Sequence, residues 1–307
     1  MRPAGYIDLQ VNGYGGVDFN RDDLSADDLH RACRRLRDDG VQHILATVIT
    51  EDLERMIRRL RAIAALRKSD ELAQSVIAGI HIEGPFINET PGYHGAHPPD
   101  AIRPADVDAM ARLLDAADGL TRIVTLAPER DPQFRVTRML ASRGIVVSAG
   151  HTNASLDELD GAIDAGLSMF THVGNGCPAT LPRHDNIVQR VLSRADRIWC
   201  CFIADGAHIP FFALRNYLKL ADLSRSIVVT DAIAPAGLGP GTYTLARWKI
   251  QIGEDMVARS PDGSHLLGAA ITMSASENNL KSKVGLTDQH CRQLLIENPA
   301  KAIRLAV

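Results

Sequence analysis

Glu83, His151, His172, Asp205, His208 and Asp231 have the types and spacing to do hydrolytic chemistry together. Each comes at or just after the end of a short apolar run. Glu83-Gly84-Pro85 follows Ile80-His81-Ile82, and Gly150-His151-Thr152-Asn153 follows the run 145–149. His172 follows Phe170-Thr171, Asp205-Gly206-Ala207-His208 follows the run 199–203, and Asp231 follows Ile227-Val228-Val229-Thr230. A first run at 6–9 leads into Gln10-Val11-Asn12. One carboxylate and two histidines from such a set can bind a divalent cation and leave one position open, the pattern of catalytic zinc sites. A lone histidine at a strand end is usually a hydrogen-bonded structural residue. Two of them after consecutive runs, with carboxylates at equivalent places, raise metal chemistry to an equal footing.

The runs read as eight strands, at 6–9, 43–49, 76–82, 122–126, 145–149, 168–171, 199–203 and 226–230. Several are unbroken apolar stretches, as expected of strands buried on both faces of a parallel sheet. Amphipathic helices lie between them. Ser25 opens one whose stripe is Leu29, Ala32, Cys33 and Leu36, and Gly40 closes it. Thr50 opens the next, with Leu53, Ile57, Leu60 and Ala64 on one side. Ser155-Leu156-Asp157-Glu158 is a capping box ahead of Leu159 and Ile163. Further helices are expected at 104–117, 133–142, 187–195, 210–220, 272–283 and 288–296. Eight strands alternating with helices predict a (β/α)8 TIM barrel, whose chemistry gathers where the strands end. An open doubly wound sheet is the rival, but no Gly-x-Gly-x-x-Gly follows the first strand. The whole of 1–307 reads as one domain, with 238–263 an insertion after strand eight. Within it 248–252 alternates like an exposed strand and is expected to pair with 256–260.

Composition narrows the function. The chain has 307 residues, 45% hydrophobic and 23% charged, with a net charge of −3. That excludes a disordered chain and gives no electrostatic case for nucleic acid or a membrane surface. No apolar run approaches the ~18 residues of a membrane span, and residues 1–8 lack the apolar core of a signal peptide. The five cysteines have no framework spacing, so a reduced, cytoplasmic protein is expected.

The segments themselves are more specific. Ile80-His81-Ile82-Glu83-Gly84-Pro85-Phe86-Ile87 resembles the His-x-Glu-Gly-Pro signature of the N-acetylglucosamine-6-phosphate deacetylases, in the amidohydrolase superfamily. Ile7-Asp8-Leu9-Gln10-Val11-Asn12-Gly13, Gly95-Ala96-His97, Val147-Ser148-Ala149-Gly150-His151-Thr152-Asn153-Ala154 and Phe170-Thr171-His172 are similar to other segments of that family. So are Ile203-Ala204-Asp205-Gly206-Ala207-His208 and Val229-Thr230-Asp231-Ala232-Ile233-Ala234-Pro235-Ala236-Gly237, all in the family's order. The resemblance implies metal-dependent hydrolysis of the N-acetyl group of an acetylated amino sugar. It assigns Glu83, His151 and His172 as ligands of one divalent metal, zinc first, with iron or another divalent ion as alternatives. It makes Asp231 the general base and places His97 near the acetyl carbonyl. Asn175, the backbone of Gly176, Arg183 and His208 fall where the family holds the sugar phosphate, with the arginine reaching in from a neighbouring subunit. Gln10 and Asn12 stand where many amidohydrolases carry His-x-His. Neutral amides are poor ligands beside imidazole, so a single metal is expected, with both amides lining the site by hydrogen bonds.

Two departures from the family pattern stand out. Asn175-Gly176-Cys177-Pro178 replaces the family's Asn-Ala-Met, and Arg183-His184-Asp185-Asn186 replaces Arg-Glu-Pro-Gly. The family also adds a small β-sandwich from both chain ends, whereas here the first barrel strand comes at about Tyr6. A barrel-only variant is therefore expected, with a homodimer covering the surface the sandwich would cover. His94 lies beside the motif but His97 matches it. His30, His43, His184, His265 and His290 match no motif. Alternatives are an amidohydrolase for an unphosphorylated or modified acetamido substrate, and a non-catalytic sugar-binding barrel.

Overall fold

The aliphatic runs form eight parallel strands, each hydrogen-bonded to the next in chain order. They are β1 (Tyr6–Val11), β2 (Val41–Ile49), β3 (Ile77–Glu83), β4 (Thr121–Leu126), β5 (Val146–Ala149), β6 (Leu167–Phe170), β7 (Trp199–Ile203) and β8 (Ser226–Val229). This computed structural model describes residues 5–245, 248–259, 266 and 268–306. The expected insertion residues 246–247 and 260–263, and His265, lie outside the described residues. Helices follow the strands in a (β/α)8 arrangement. They include α1 (Ala26–Asp38), α2 (Leu53–Lys68), α3 (Glu71–Val76), α4 (Val107–Ala116), α5 (Arg135–Ser142), α6 (Leu156–Asp164), α7 (Ile187–Leu192), α8 (Phe211–Ala221) and α9 (Met273–Asn279).

Their starts follow local chemistry. Ser25 and Ser155 form reciprocal capping boxes with Asp28 and Glu158. Asp52, Asp70, Asp106, Asn186 and Thr272 each accept a backbone N–H of the first turn. Their inner stripes and the outer faces of the strands make one continuous core that includes Leu29, Leu60, Met110, Leu140, Leu159 and Leu214. Burying each such side chain contributes about 1.5–3 kcal/mol.

The barrel interior is polar. His81 reaches across it, from the Leu9 carbonyl at 3.1 Å to the Thr125 hydroxyl at 2.8 Å. Side chains alternate along a strand, so Glu83, two residues on, shares that inner side and meets Gln10 of β1. Between β1 and β8 the closure is sparse. Val11 bridges Ala232, and Asn12 N donates to the Ala232 carbonyl at 2.7 Å.

Three local features differ from expectation. First, β1 runs on to Val11, so Gln10 lies in the strand and not after it. Second, Val76 closes α3, a helix of one and a half turns that the periodicity did not show. Third, a small hairpin of Gly13–Tyr14 and Val17–Asp18 follows β1, turning through Gly15 and Gly16 at φ 58° and 87°. After β8, Gly241–Leu245, Trp248–Ile252 and Ala258–Arg259 form an antiparallel sheet with the middle segment paired to both others. Ile250 and Ile252 point inward onto Ile233, Ala258 and Ala270, while Gln251 is exposed. No β-sandwich occurs among the described residues.

Candidate active site

Glu83 is the last residue of β3, and the chain turns sharply after it. Gly84 has φ 89°, and a Cβ there would lie 2.0 Å from the Thr50 hydroxyl, which donates to the Glu83 carbonyl at 3.2 Å. Only glycine fits that approach. Three other site residues carry positive φ despite having side chains: His151 at 52°, His172 at 25° and Asp231 at 55°. Such conformations cost of order 1–3 kcal/mol each and concentrate at functional sites. Each occurs where a strand gives way to a loop, and each turns its side chain toward the same centre.

That centre is the Glu83 carboxylate. Its Oε1 lies 3.1 Å from His172 Nε2, 3.3 Å from His151 Nε2 and 3.0 Å from Gln10 Nε2. His151 Nδ1 is 2.8 Å from the Tyr93 carbonyl. A carbonyl only accepts, so Nδ1 carries a proton, and Nε2 is the nitrogen turned to Glu83. The Gln10 carbonyl accepts from the Thr171 hydroxyl, which fixes the amide's orientation. Burial alone would raise the Glu83 pKa, but the bonds to His151 and His172 hold it well below the usual range. Burial pulls His172 down, yet the Glu83 hydrogen bond and charge leave it raised.

His97 joins this group. Its ring lies 4.4 Å from that of His151, and the ligand atoms of Glu83, His97 and His151 all fall within 4.8 Å of one another. Burial pushes His97 down to about 3, so its imidazole is neutral. The donor set fits a divalent cation. It combines an ionised carboxylate with imidazoles, one of them held by a carbonyl in the tautomer that coordinates through Nε2. Two imidazole Nε2 atoms facing one buried carboxylate oxygen also make a place that favours positive charge.

Asp231 sits beside the cluster. Asn12 Nδ2 donates to its Oδ1 at 2.7 Å. Burial, then the charge of Glu83, lifts its pKa to about 6. His208 is close enough to act on that carboxylate, and its ring is oriented by Asp205 at 2.6 Å. Asp205 in turn accepts from the backbone N–H groups of Ala207 and His208.

On the other side, Asn175 N donates to the His172 carbonyl at 2.9 Å, and its buried Nδ2 has no partner. Gly176, at φ 62°, packs on the imidazoles. A Cβ there would lie 3.0 Å from His151 Nδ1 and 3.2 Å from His172 Cε1. Arg183 is exposed and makes no contact with this cluster. Asp185, two residues on, is paired with Arg190, Nε to Oδ1 2.6 Å. A cavity of about 540 Å³ lies nearby between α9, Met256 and Gly237, with Asp205 on its wall, but none of Glu83, His151, His172 or Asp231 lines it.

Several residues at the site were not singled out from the sequence. Tyr93 acts through its carbonyl, which no side-chain pattern reveals. Gly95 packs on His151, where a Cβ would lie 3.2 Å from Cε1. Asp8 and Thr171 alternate with or adjoin motif residues, and that period of two was the available signal.

No family model matches the chain. Known relatives do. It is 30% identical over 302 residues to N-acetylglucosamine-6-phosphate deacetylase of Bacillus subtilis, covering 97% of this chain and 74% of the relative. The human protein of the same name is 32% identical, with 98% and 74% covered. The chain belongs to the N-acetylglucosamine-6-phosphate deacetylase family. An N-acetylgalactosamine-6-phosphate deacetylase of Shewanella is also 32% identical, with 98% and 74% covered. Among solved structures, a mutant of the Mycobacterium smegmatis deacetylase in complex with N-acetyl-D-glucosamine-6-phosphate superposes with a TM-score of 0.88. It is 29% identical, with 98% of this chain and 77% of that one covered. A 5-methylcytosine deaminase of Klebsiella pneumoniae, 15% identical at a TM-score of 0.55, shares the fold.

Proposed function

We propose that this chain hydrolyses the N-acetyl group of N-acetylglucosamine 6-phosphate, giving acetate and glucosamine 6-phosphate. Glu83, His151 and His172 would hold one divalent metal. The observation that carries this reading is the single Glu83 oxygen faced by two imidazole nitrogens, with the Asp231 carboxylate alongside. Bound there, a divalent cation supplies Lewis-acid polarisation of the amide carbonyl and lowers the pKa of water. Zinc suits a donor set of two imidazoles and one carboxylate; iron is the alternative.

The protein's own groups do the rest. Asp231, steadied by Asn12, takes a proton from water and returns it to the departing nitrogen. Neutral His97 donates an N–H to the acetyl oxygen as negative charge develops there. Asn175 Nδ2, buried without a partner, and the Gly176 N–H serve as phosphate donors. His208, oriented by Asp205, contacts the sugar phosphate. Arg183, exposed and without a partner among the described residues, suits a contact made to substrate in a second copy, and a homodimer goes with this reading. Among the described residues no helix is long and apolar enough to cross a membrane. The five free cysteines suit a reducing, cytoplasmic setting.

The relatives named for the galactosamine epimer favour a second reading, in which the sugar differs at one hydroxyl. Acetate release from both epimers, each with and without the 6-phosphate, separates the readings. The glucosamine phosphate is expected to turn over fastest, and Asp231→Asn to lower kcat by about 10²–10⁴-fold with metal retained. Equal rates with and without phosphate would remove the phosphate assignment, and an active Asp231→Asn would remove the base.

A further inference from the structure

Hydrogen bonding around the barrel is thinnest at the seam between β1 and β8. The backbone connection falls beyond the end of β8: Val11 bridges Ala232, and Asn12 N and Gly13 N donate to the Ala232 carbonyl at 2.7 and 3.1 Å. The Asp8 side chain supplies much of the remaining connection. Its carboxylate is buried within the barrel. Oδ1 accepts from Thr230 N at 3.2 Å and from Gln10 N at 3.3 Å, and Oδ2 accepts from the Thr230 hydroxyl. The same hydroxyl oxygen accepts from Ala232 N at 3.1 Å. Thr230 is thus tied to Asp8 on one side and to the residue beyond Asp231 on the other. Between these ties Asp231 holds φ 55°, which a residue with a side chain resists. Four residues on from Asp8, just past the end of β1, Asn12 grips the Asp231 carboxylate itself.

We propose that Asp8 is a positioning residue for the reaction: through Thr230 it fixes the strained 230–232 turn and so sets the direction in which Asp231 presents its carboxylate. A regular strand ladder would fix that backbone with N–H···O=C bonds. Here backbone bonds reach Asp231 and Ala232 from Ala269, Asn12 and Gly13, and a buried carboxylate holds Thr230 where β1 and β8 form no ladder. The role of Asp231 rests on the hydrolytic reading above, but the clasp is a property of the fold and can be tested without turnover.

Thr230→Val removes the hydroxyl that Asp8 Oδ2 accepts, Asp8→Asn turns that acceptor into an N–H donor while leaving an oxygen for Thr230 N and Gln10 N, and Thr230→Ser keeps the hydroxyl. Three quantities are read on the full chain: amide hydrogen exchange in the segment 229–236, metal per chain, and kcat and KM for acetate release. Asp8→Asn and Thr230→Val are expected to speed exchange in that segment. They lower kcat on the order of 10²-fold, the effect of misplacing a catalytic group by about 1 Å, with KM and metal content unchanged. Thr230→Ser restores both, and the double variant Asp8→Asn/Thr230→Val loses no more than either single one. Unchanged exchange in Thr230→Val overturns the clasp. Faster exchange with unchanged kcat, or a loss shared by KM and metal content, overturns its role in positioning Asp231. If the wild-type protein releases acetate from no sugar, the hydrolytic reading fails, while the exchange arm still decides whether Asp8 holds the turn.

Discussion

Glu83 and Asp231 are neighbouring buried carboxylates set to different tasks by what surrounds them. Two imidazoles hold Glu83 ionised, whereas burial and the charge of Glu83 bring Asp231 to about 6, a value that suits the proton transfer proposed for it. Gly176 tests how tightly the imidazoles are held. Gly176→Ala introduces a Cβ at positive φ that presses on His151 Nδ1 and His172 Cε1. Metal affinity, measured by competition with a chromophoric chelator, is expected to fall about 10–100-fold, as for other losses of ligand support; an unchanged affinity would show that the loop yields freely. Asp8 makes a prediction of opposite character. Burial lifts its pKa from 3.8 to about 7, despite hydrogen bonds from Thr230 and Gln10. The folded state therefore binds this proton more tightly than the unfolded chain. Its contribution is full below about pH 4 and is lost as pH rises toward about 7. In urea titrations the stability advantage of wild type over Asp8→Asn should shrink across that window, and a constant difference would refute the shift.

The helices are fixed by their first turns. The N-cap of α6, Ser155, comes four residues after His151, and its Oγ accepts from Glu158 N at 3.2 Å while Glu158 Oε2 accepts from Ser155 N at 2.8 Å. Ser155→Ala removes one of these bonds and is expected to cost about 1 kcal/mol, read as a lower urea midpoint with unchanged slope and unchanged metal content. That cap, and most strands and helices, could be read from the chain because apolar runs and apolar stripes repeat with the period of the element. The exceptions are physical. α3 buries only Ala73 and Val76, too few for a stripe. The hairpin after β1 has strands of two residues, too short to alternate. Gln10 reads as a loop residue because it is polar, yet it lies in β1 and faces a polar barrel interior where Glu83 and Thr171 satisfy it.

At the scale of the whole molecule, the barrel gathers groups that are far apart in sequence. Ring closure puts every strand end around one mouth, so residues that end β3, β5, β6 and β8 could be expected to meet. The approach of His97 to His151 was not readable from spacing, because the long segment between β3 and α4 has no period to fix its path. The chain spans about three-quarters of the length of the relatives it matches, and the site residues all lie within that shared part. Anomalous X-ray scattering from crystals of the purified protein, recorded at the zinc and iron absorption edges, would locate any bound metal directly. One peak per chain is expected, with Glu83, His151 and His172 each at about 2.0–2.2 Å. A peak held by other side chains, a second peak near Gln10 and Asn12, or none at all in protein that releases acetate would contradict the metal centre on which the hydrolytic mechanism depends.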